Sequence, residues 1–182
     1  MFRFWRILFI CTLLIFGEGK TLSTESPSWE TSIRPSIAED INPDPSIVEV
    51  ELTAAPIKWD FGTGDLVDAW AYNGSIPGPT IEAFEDDRVI VHFRNRLPFP
   101  STVYWYGVET PAAMAGSSVS QIQVEPGEDF RYEFRVPRAA TYFYRAGINS
   151  SSASEMGLCG TIIVEDPGSD LRLNLPEQNH LL

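Results

Sequence analysis

The sequence predicts an all-β protein, a sandwich or barrel built as a single domain. About nine short segments of strand character recur at a spacing of roughly 8–12 residues, which is typical of β-sandwiches and barrels. The chain contains 14 Pro and 13 Gly, and 12% of its 182 residues are aromatic. This composition favours strands and turns over helices. No segment shows a convincing helical period, so helices are not expected to shape the fold.

The net charge and the histidine content exclude several classes of function. With 25 acidic and 13 basic residues, the chain carries a formal charge of −12. It therefore repels phosphate backbones and anionic lipid headgroups, and nucleic acid is not an expected partner. The chain has only two histidines, which leaves no basis for a Ser/His/Asp site. It also lacks a glycine-rich nucleotide loop.

Residues 1–19 have the pattern of a secretory signal peptide. Arg3 and Arg6 precede an apolar run at 7–16, and small residues follow it. About ten apolar residues make roughly half a membrane span, so a permanent transmembrane helix is the weaker interpretation. A lipid anchor at Cys11 is a further alternative, but Cys11 lies inside the apolar run rather than after it. We expect an exported protein, in the periplasm or outside the cell.

Composition also suggests the boundaries of the domain. Residues 20–46 are rich in Ser, Thr, Pro and Glu without a sustained apolar period, which is typical of a flexible tether. Residues 47–167 carry the strand patterns and form the predicted domain, and residues 168–182 form a polar tail. Removal of the signal peptide leaves Cys159 without a second cysteine, and its place in an apolar run indicates a buried small residue.

Several motifs occur in the order typical of a known family. Residues 73–80, Asn-Gly-Ser-Ile-Pro-Gly-Pro-Thr, resemble the NG-x-IPGPT signature of the first cupredoxin (plastocyanin-like) domain of multicopper oxidases. Residues 86–89, 95–98, 123–127 and 157–164 are similar to the family's GDRV, N-x-LP, Q-to-PG and GLYG-x-IIV segments. The resemblance covers nearly the whole predicted domain. It implies a cupredoxin-like Greek-key β-sandwich, and in the family this fold carries copper chemistry.

The copper-ligand positions of that family are occupied here by other residues. The family's first domain contributes four histidines, in the motifs HWHG and YHxH, to a trinuclear copper centre. In this sequence Tyr104 and Tyr106 stand at the first pair of positions, and Arg145 and Gly147 stand at the second pair. A guanidinium has no lone pair for a metal, glycine has no side chain, and tyrosine ligates only after losing its proton. Ala115 stands where related oxidases have an Asp that can assist proton delivery.

From these replacements we expect no catalytic residue, no metal and no cofactor in this chain. The cluster of aromatic residues around Tyr104, Tyr106 and Arg145 then has two interpretations. One is ordinary packing between strands. The other is a concave patch in which Arg145 contacts both tyrosines and fills the space left by copper.

The resemblance leaves three hypotheses for function. The leading one is an exported, non-catalytic binding or interaction module, whose partner is an unidentified protein or a small aromatic or anionic ligand. The first alternative is a copper-binding or scaffold subunit of a multi-chain multicopper oxidase that oxidises phenolic or metal-ion substrates with O2. The second is a decaying oxidase fragment. Oxidoreductase activity is expected only if other domains complete the site.

Overall fold

A computed structural model describes residues 36–148 and 150–168 of the chain, which lie in one compact unit. Strands make up most of its regular structure. The elements, in chain order, are β1 (Ile47–Trp59), β2 (Val67–Tyr72), β3 (Ile81–Phe84), β4 (Arg88–Asn95), β5 (Val103–Tyr106), a 3-10 helix (Ala112–Met114), β6 (Asp129–Arg135), β7 (Ala140–Ala146), α1 (Ser150–Glu155) and β8 (Cys159–Glu165).

The strands form two four-stranded sheets that pack face to face. The first sheet has the order β2-β1-β4-β6, and the second has the order β3-β8-β7-β5. The β1–β4 and β3–β8 pairs are parallel, whereas the other neighbours are antiparallel. Alternate side chains of both sheets point into the space between them, as the period of a β-strand requires. The all-β sandwich expected from the sequence is confirmed.

Trp105 of β5 joins the two sheets at the centre of the core. Its side chain is 3% exposed. Its ring centroid lies 5.2 Å from that of Tyr132 and 4.8 Å from that of Phe134, both in β6 of the first sheet. The ring of Tyr144, in β7 of the second sheet, lies 5.8 Å away. A large ring in contact with both layers contributes much of the apolar area that the sandwich buries.

Two details differ from the sequence-based expectation. The sequence predicts short strands, but β1 runs continuously for 13 residues, from Ile47 to Trp59. Pro56 does not break it, because the pairing of β1 with β4 ends at Ala54 and only β2 continues beside it. The helix α1 was not predicted, because its six residues are too short to show a helical period.

Residues 36–46, which composition assigned to the tether, are hydrogen bonded to the domain. The Ala38 N–H donates to the Thr80 carbonyl oxygen at 2.8 Å, and the Thr80 N–H donates to the Ser36 carbonyl oxygen at 2.7 Å. The Ile41 N–H donates to the Glu49 carbonyl oxygen at 2.8 Å. The predicted signal peptide, the rest of the tether and the tail from residue 169 lie outside the described residues. Within the described part of the chain, no helix has the length and apolar character needed to cross a bilayer.

Candidate functional site

The inner side of β5 and β7 belongs to the core. Val103, Trp105, Tyr144 and Ala146 are at most 3% exposed. The Tyr144 hydroxyl donates to the Pro79 carbonyl oxygen at 2.6 Å, which ties the proline-rich segment 73–80 to the second sheet. Burial raises the pKa of Tyr144 well above its ordinary value, so the phenol stays protonated and able to donate. This side of the two strands therefore holds the fold together.

The outer side of the same strands carries the residues singled out from the sequence. We call it the Arg145 face, and its residues are Tyr104, Tyr106, Phe143, Arg145 and Gly147. Strand pairing places Tyr104 opposite Arg145 and Tyr106 opposite Phe143. The Tyr106 ring stacks on Phe143 at a centroid distance of 4.5 Å and meets the Tyr104 ring edge-on at 4.6 Å. The Cζ atom of Arg145 lies 4.3 Å from the Tyr106 ring centroid, in a cation–π contact.

A tight loop closes the Arg145 face beside Gly147. A Cβ atom at position 147 would overlap the Gly116 carbonyl oxygen and would lie 2.5 Å from Thr102 Oγ1. Gly116 itself has φ +73°, and a Cβ there would overlap the Val103 carbonyl oxygen. The Thr102 hydroxyl donates to the Gly116 carbonyl oxygen at 2.5 Å, and the Gly147 N–H donates to the Thr102 carbonyl oxygen at 2.9 Å. The loop at Gly116 thus occupies the space that a side chain at position 147 would need.

Buried hydrogen bonds behind the loop hold it against β5 and β6. The Gly116 N–H donates to Gln121 Oε1 at 2.8 Å, and Gln121 Nε2 donates to the Tyr132 hydroxyl oxygen at 2.8 Å. The Val103 N–H donates to the same oxygen at 2.9 Å. Burial raises the pKa of Tyr132 to about 12. Tyr132 therefore connects the core, through Gln121, to the loop that closes the Arg145 face.

Between the loop and the strands lies a shallow cavity of about 140 Å³, which we call the Arg145 cavity. It is lined by Tyr104, Tyr106, Ser117, Ser118, Arg145, Ala146 and Gly147. Four of these seven residues carry a hydroxyl group, and none carries a carboxylate. Within the described residues, Arg145 makes no ion pair, and its Nε atom is buried without a hydrogen-bond partner. The cavity therefore presents one positive charge surrounded by hydroxyl groups.

The residues that the resemblance places at the family's four ligand positions do not fit a copper ion. Arg145 offers only N–H donors and a positive charge, and the side-chain space at Gly147 is closed. Tyr104 and Tyr106 pack against each other beside that cation, where a second cation is repelled. Across residues 36–148 and 150–168, no three His, Cys, Asp or Glu side chains are grouped to hold a metal. Ala115 ends the 3-10 helix next to the loop, and its methyl group has no proton to transfer.

The structure brings Tyr104, Tyr106 and Arg145 together, as the concave-patch interpretation expected. Sequence reasoning missed Ser117 and Ser118, which complete the cavity. It also missed the role of Tyr132, whose hydroxyl oxygen accepts hydrogen bonds from Val103 and Gln121. The run of small residues after position 115 indicates a turn. It does not show that this turn folds back onto β5 and β7.

Comparison with known proteins decides the family. A multicopper oxidase family model matches residues 53–169. The chain belongs to the multicopper oxidase family. It is 34% identical over 120 residues to multicopper oxidase MmcO of Mycobacterium tuberculosis, covering 66% of this chain and 23% of that protein. It is 41% identical over 118 residues to an L-ascorbate oxidase of Nicotiana tabacum, covering 59% of this chain and 20% of that protein.

Solved structures agree with this assignment. A multicopper oxidase from Pseudomonas thermotolerans superimposes with a TM-score of 0.64 at 36% identity, covering 66% of this chain and 30% of that chain. A metallo-oxidase of the family from Campylobacter jejuni gives a TM-score of 0.69 at 26% identity, covering 76% and 30%. These matches confirm the cupredoxin-like sandwich. The chain spans only 20–23% of the length of the two curated relatives.

The family assignment corrects the expectation of no cofactor. That expectation was inferred from only four positions and was applied to the whole protein. The relatives are named multicopper oxidases and ascorbate oxidases, so copper is the cofactor that the family implies. The poor fit described above concerns the Arg145 face alone.

Proposed function

We propose that this domain is a non-catalytic interaction module of the multicopper oxidase family, and that its Arg145 face binds a partner group. The observation that carries the proposal is the position of the Arg145 guanidinium, 4.3 Å over the Tyr106 ring, where the family resemblance places a ligating histidine. A fixed cation repels metal ions and attracts anionic or electron-rich groups. The face is thus suited to binding rather than to metal ligation.

The packing of the Arg145 face supports a role in binding a partner group rather than in ligating a metal. Tyr106 is held between Tyr104 and Phe143, so its ring is committed to packing. Gly147 lies against the loop at Gly116, which leaves no room for a ligand side chain. Any copper that the protein carries is accordingly held by residues other than these four.

The surroundings of the face support a binding role as well. Phe143 is 48% exposed, and Val119 and Ile122, on the segment that follows the cavity-lining serines, are 95% and 86% exposed. Exposed apolar side chains beside a polar cavity are typical of a surface that meets a partner, because water solvates them poorly.

Copper analysis of matched variants tests the proposal. The purified protein is incubated with Cu(II), analysed for bound metal, and assayed for O2 uptake with a phenolic dye. Replacement of Tyr104 and Tyr106 by Phe together with Arg145→Gln is expected to leave bound copper and O2 uptake as they were. Arg94→Gln, on the opposite sheet, is the matched control. If copper or O2 uptake falls in the triple variant but not in this control, the proposal is wrong.

A scaffold role in a multi-chain oxidase is a second candidate. It is favoured by the exposure of Val119 and Ile122. In this role a copper-bearing chain covers both side chains. Co-expression with a copper-domain chain from a neighbouring reading frame is expected to give a complex that Val119→Asp with Ile122→Asp disrupts. The absence of such a frame, or a complex indifferent to both substitutions, contradicts this candidate.

We also propose that the protein is exported. The support is the sequence of residues 1–19, where Arg3 and Arg6 precede an apolar run and small residues. N-terminal sequencing of the protein recovered from the periplasm or the medium is expected to begin near Lys20. Recovery of the protein inside the cell with Met1 still in place contradicts export.

A further inference from the structure

The Arg145 cavity contains more hydrogen-bond donors than the described residues satisfy. The hydroxyl groups of Tyr104 and Tyr106 line it, and neither forms a hydrogen bond within the described part of the chain. Arg145 Nε is buried without an acceptor. A buried donor without an acceptor destabilises the folded state unless a ligand or water satisfies it. The cavity is therefore built to receive acceptor atoms from outside the protein.

The positive charge of the cavity further restricts the chemical class of the ligand. Among the described residues, Arg145 is the only one with a charged side chain that lines the cavity. Arginines on the first sheet pair with carboxylates: Arg94 lies 2.5 Å from Glu51, and Arg96, just after β4, lies 3.1 Å from Asp129. Arg135 and Arg138 also make no ion pair within the described residues, but Arg145 is the one of the three that lines this hydroxyl-rich cavity. A ligand that supplies one negative charge would complete it.

We propose that the Arg145 cavity binds the carboxylate group of a small organic acid. This rests on the proposed function, because it names the ligand of the same face. The planar guanidinium matches a planar carboxylate, and hydroxyl groups around it donate to the carboxylate oxygens. The volume of about 140 Å³ admits a group of the size of acetate or benzoate.

A carboxylate fits the cavity better than a phosphate group does. A phosphate monoester carries a charge of about −1.5 to −2 near neutral pH, whereas Arg145 supplies a single positive charge. The remaining negative charge would face a protein of net charge −12. A monoanion is neutralised by Arg145 and leaves no excess charge beside the face.

Calorimetric titration of the purified protein tests the ligand class. The probes are benzoate, acetate, inorganic phosphate and benzamide, which has the shape of benzoate without its charge. Benzoate is expected to bind at least about tenfold more tightly than benzamide, since hydrogen bonds to a charged acceptor are roughly twice as strong as neutral ones. Benzoate affinity is expected to fall as the salt concentration rises. Tighter binding of phosphate than of either carboxylate contradicts the assignment.

Matched arginine variants locate the site. Arg145→Gln keeps a polar side chain of similar reach and is expected to weaken benzoate binding about tenfold or more. Arg94→Gln removes an arginine of the opposite sheet and is expected to leave the affinity within about twofold. Tyr104→Phe removes one hydroxyl while keeping the ring, and is expected to weaken binding by a few-fold. Circular dichroism of each variant shows whether it folds, and Tyr104→Phe keeps the test valid if Arg145→Gln does not.

The outcomes separate this inference from the proposed function. If neither benzoate nor acetate binds at about 50 mM, well beyond the range of a specific site, the carboxylate assignment is wrong. The interaction role then stands, provided that bound copper and O2 uptake are still indifferent to the Arg145 face. If the variants of that face alter copper binding or O2 uptake, the proposed function is wrong. Benzoate binding that Arg145→Gln and Arg94→Gln weaken equally overturns the location.

Discussion

The outer faces of the two sheets differ in how their arginine side chains are paired. On the first sheet, Arg94 pairs with Glu51 at 2.5 Å, Arg88 pairs with Glu133 at 3.3 Å, and Arg131 pairs with Glu133 as well. On the second sheet, Arg145 lies over an aromatic ring and makes no ion pair within the described residues. Both faces are partly exposed and both belong to strands of ordinary register.

This difference separates a face whose charges pair with one another from a face whose charged group is available to bind a ligand. Paired surface charges keep a solvent face soluble and each adds little to stability. At the Arg145 cavity, a cation and neighbouring tyrosine hydroxyl groups form no ion pair or hydrogen bond within the described residues, so these groups are available to a ligand. The same strands β5 and β7 show the contrast across their thickness, because Trp105 is 3% exposed while Phe143 on the other side is 48% exposed.

The largest expected effect comes from adding a methyl group under the loop that closes the Arg145 face. Gly147→Ala places a Cβ against the Gly116 carbonyl oxygen, and overpacking of this kind destabilises a protein by about 1–3 kcal/mol, here toward the upper end. Chemical denaturation measures the free energy of unfolding. Gly127→Ala is the control, since its Cβ meets nothing within 4 Å although φ is +87°, and it costs about 1 kcal/mol through backbone strain.

Equal losses in the two glycine variants would contradict the close contact at Gly147. The loop at Gly116 would then not be held against β7, and the described difference between the outer faces of the two sheets would not hold. A larger loss at Gly147 supports the view that a side chain at this position requires the loop to move.

A loss of comparable size is expected when the hydroxyl beneath the loop is removed. Tyr132→Phe leaves the Val103 N–H and Gln121 Nε2 without their shared acceptor, and unsatisfied buried donors cost about 1–3 kcal/mol. The Phe134→Leu variant, which changes core packing without touching these hydrogen bonds, is the control for loop order. Amide hydrogen exchange at Gly116 is expected to accelerate in Tyr132→Phe and to stay closer to the parent protein in the control.

The same tyrosine gives a pH dependence of known sign. Burial raises the pKa of Tyr132 to about 12, above the value of about 10 in an unfolded chain. Between these values the native state keeps a proton that the unfolded state releases, so stability falls as the pH rises through this range. Tyr132→Phe is expected to make this fall less steep by up to about 1.4 kcal/mol per pH unit. Parallel curves for the two proteins between pH 10 and 12 would contradict the buried, protonated state.

Much of the fold was accessible from the sequence because its strands alternate cleanly. Val89, Val91 and Phe93 occupy alternate positions of β4 and are fully buried, although Ile90 between the two valines is buried as well. The alternation of β5 separates Val103 and Trp105 from Tyr104 and Tyr106, and the structure buries the first pair while leaving the second partly exposed. Helix α1 was not accessible, because a six-residue serine-rich segment carries no periodic signal.

The candidate site was only partly accessible, because its second half comes from a loop. The family resemblance implied that Tyr104, Tyr106 and Arg145 are neighbours in space, and the structure places them together. Ser117 and Ser118 reach the cavity only because Gly116 folds against β5 and β7. A contact of this kind depends on tertiary packing, which local patterns do not encode.

The smallest expected effects are the interaction energies of one side-chain pair on each outer face. The two energies are expected to differ in their dependence on salt concentration. A double-mutant cycle with Glu51→Gln and Arg94→Gln is expected to give about 0.2–1 kcal/mol at low salt and less at high salt, because exposed ion pairs are screened. The cycle with Tyr106→Leu and Arg145→Gln is expected to give about 0.5–1 kcal/mol. This second energy depends less on salt, since it comes from contact with the ring quadrupole. A strong salt dependence in the second cycle would mean that Arg145 is held by a carboxylate after all, and the contrast between the faces would disappear.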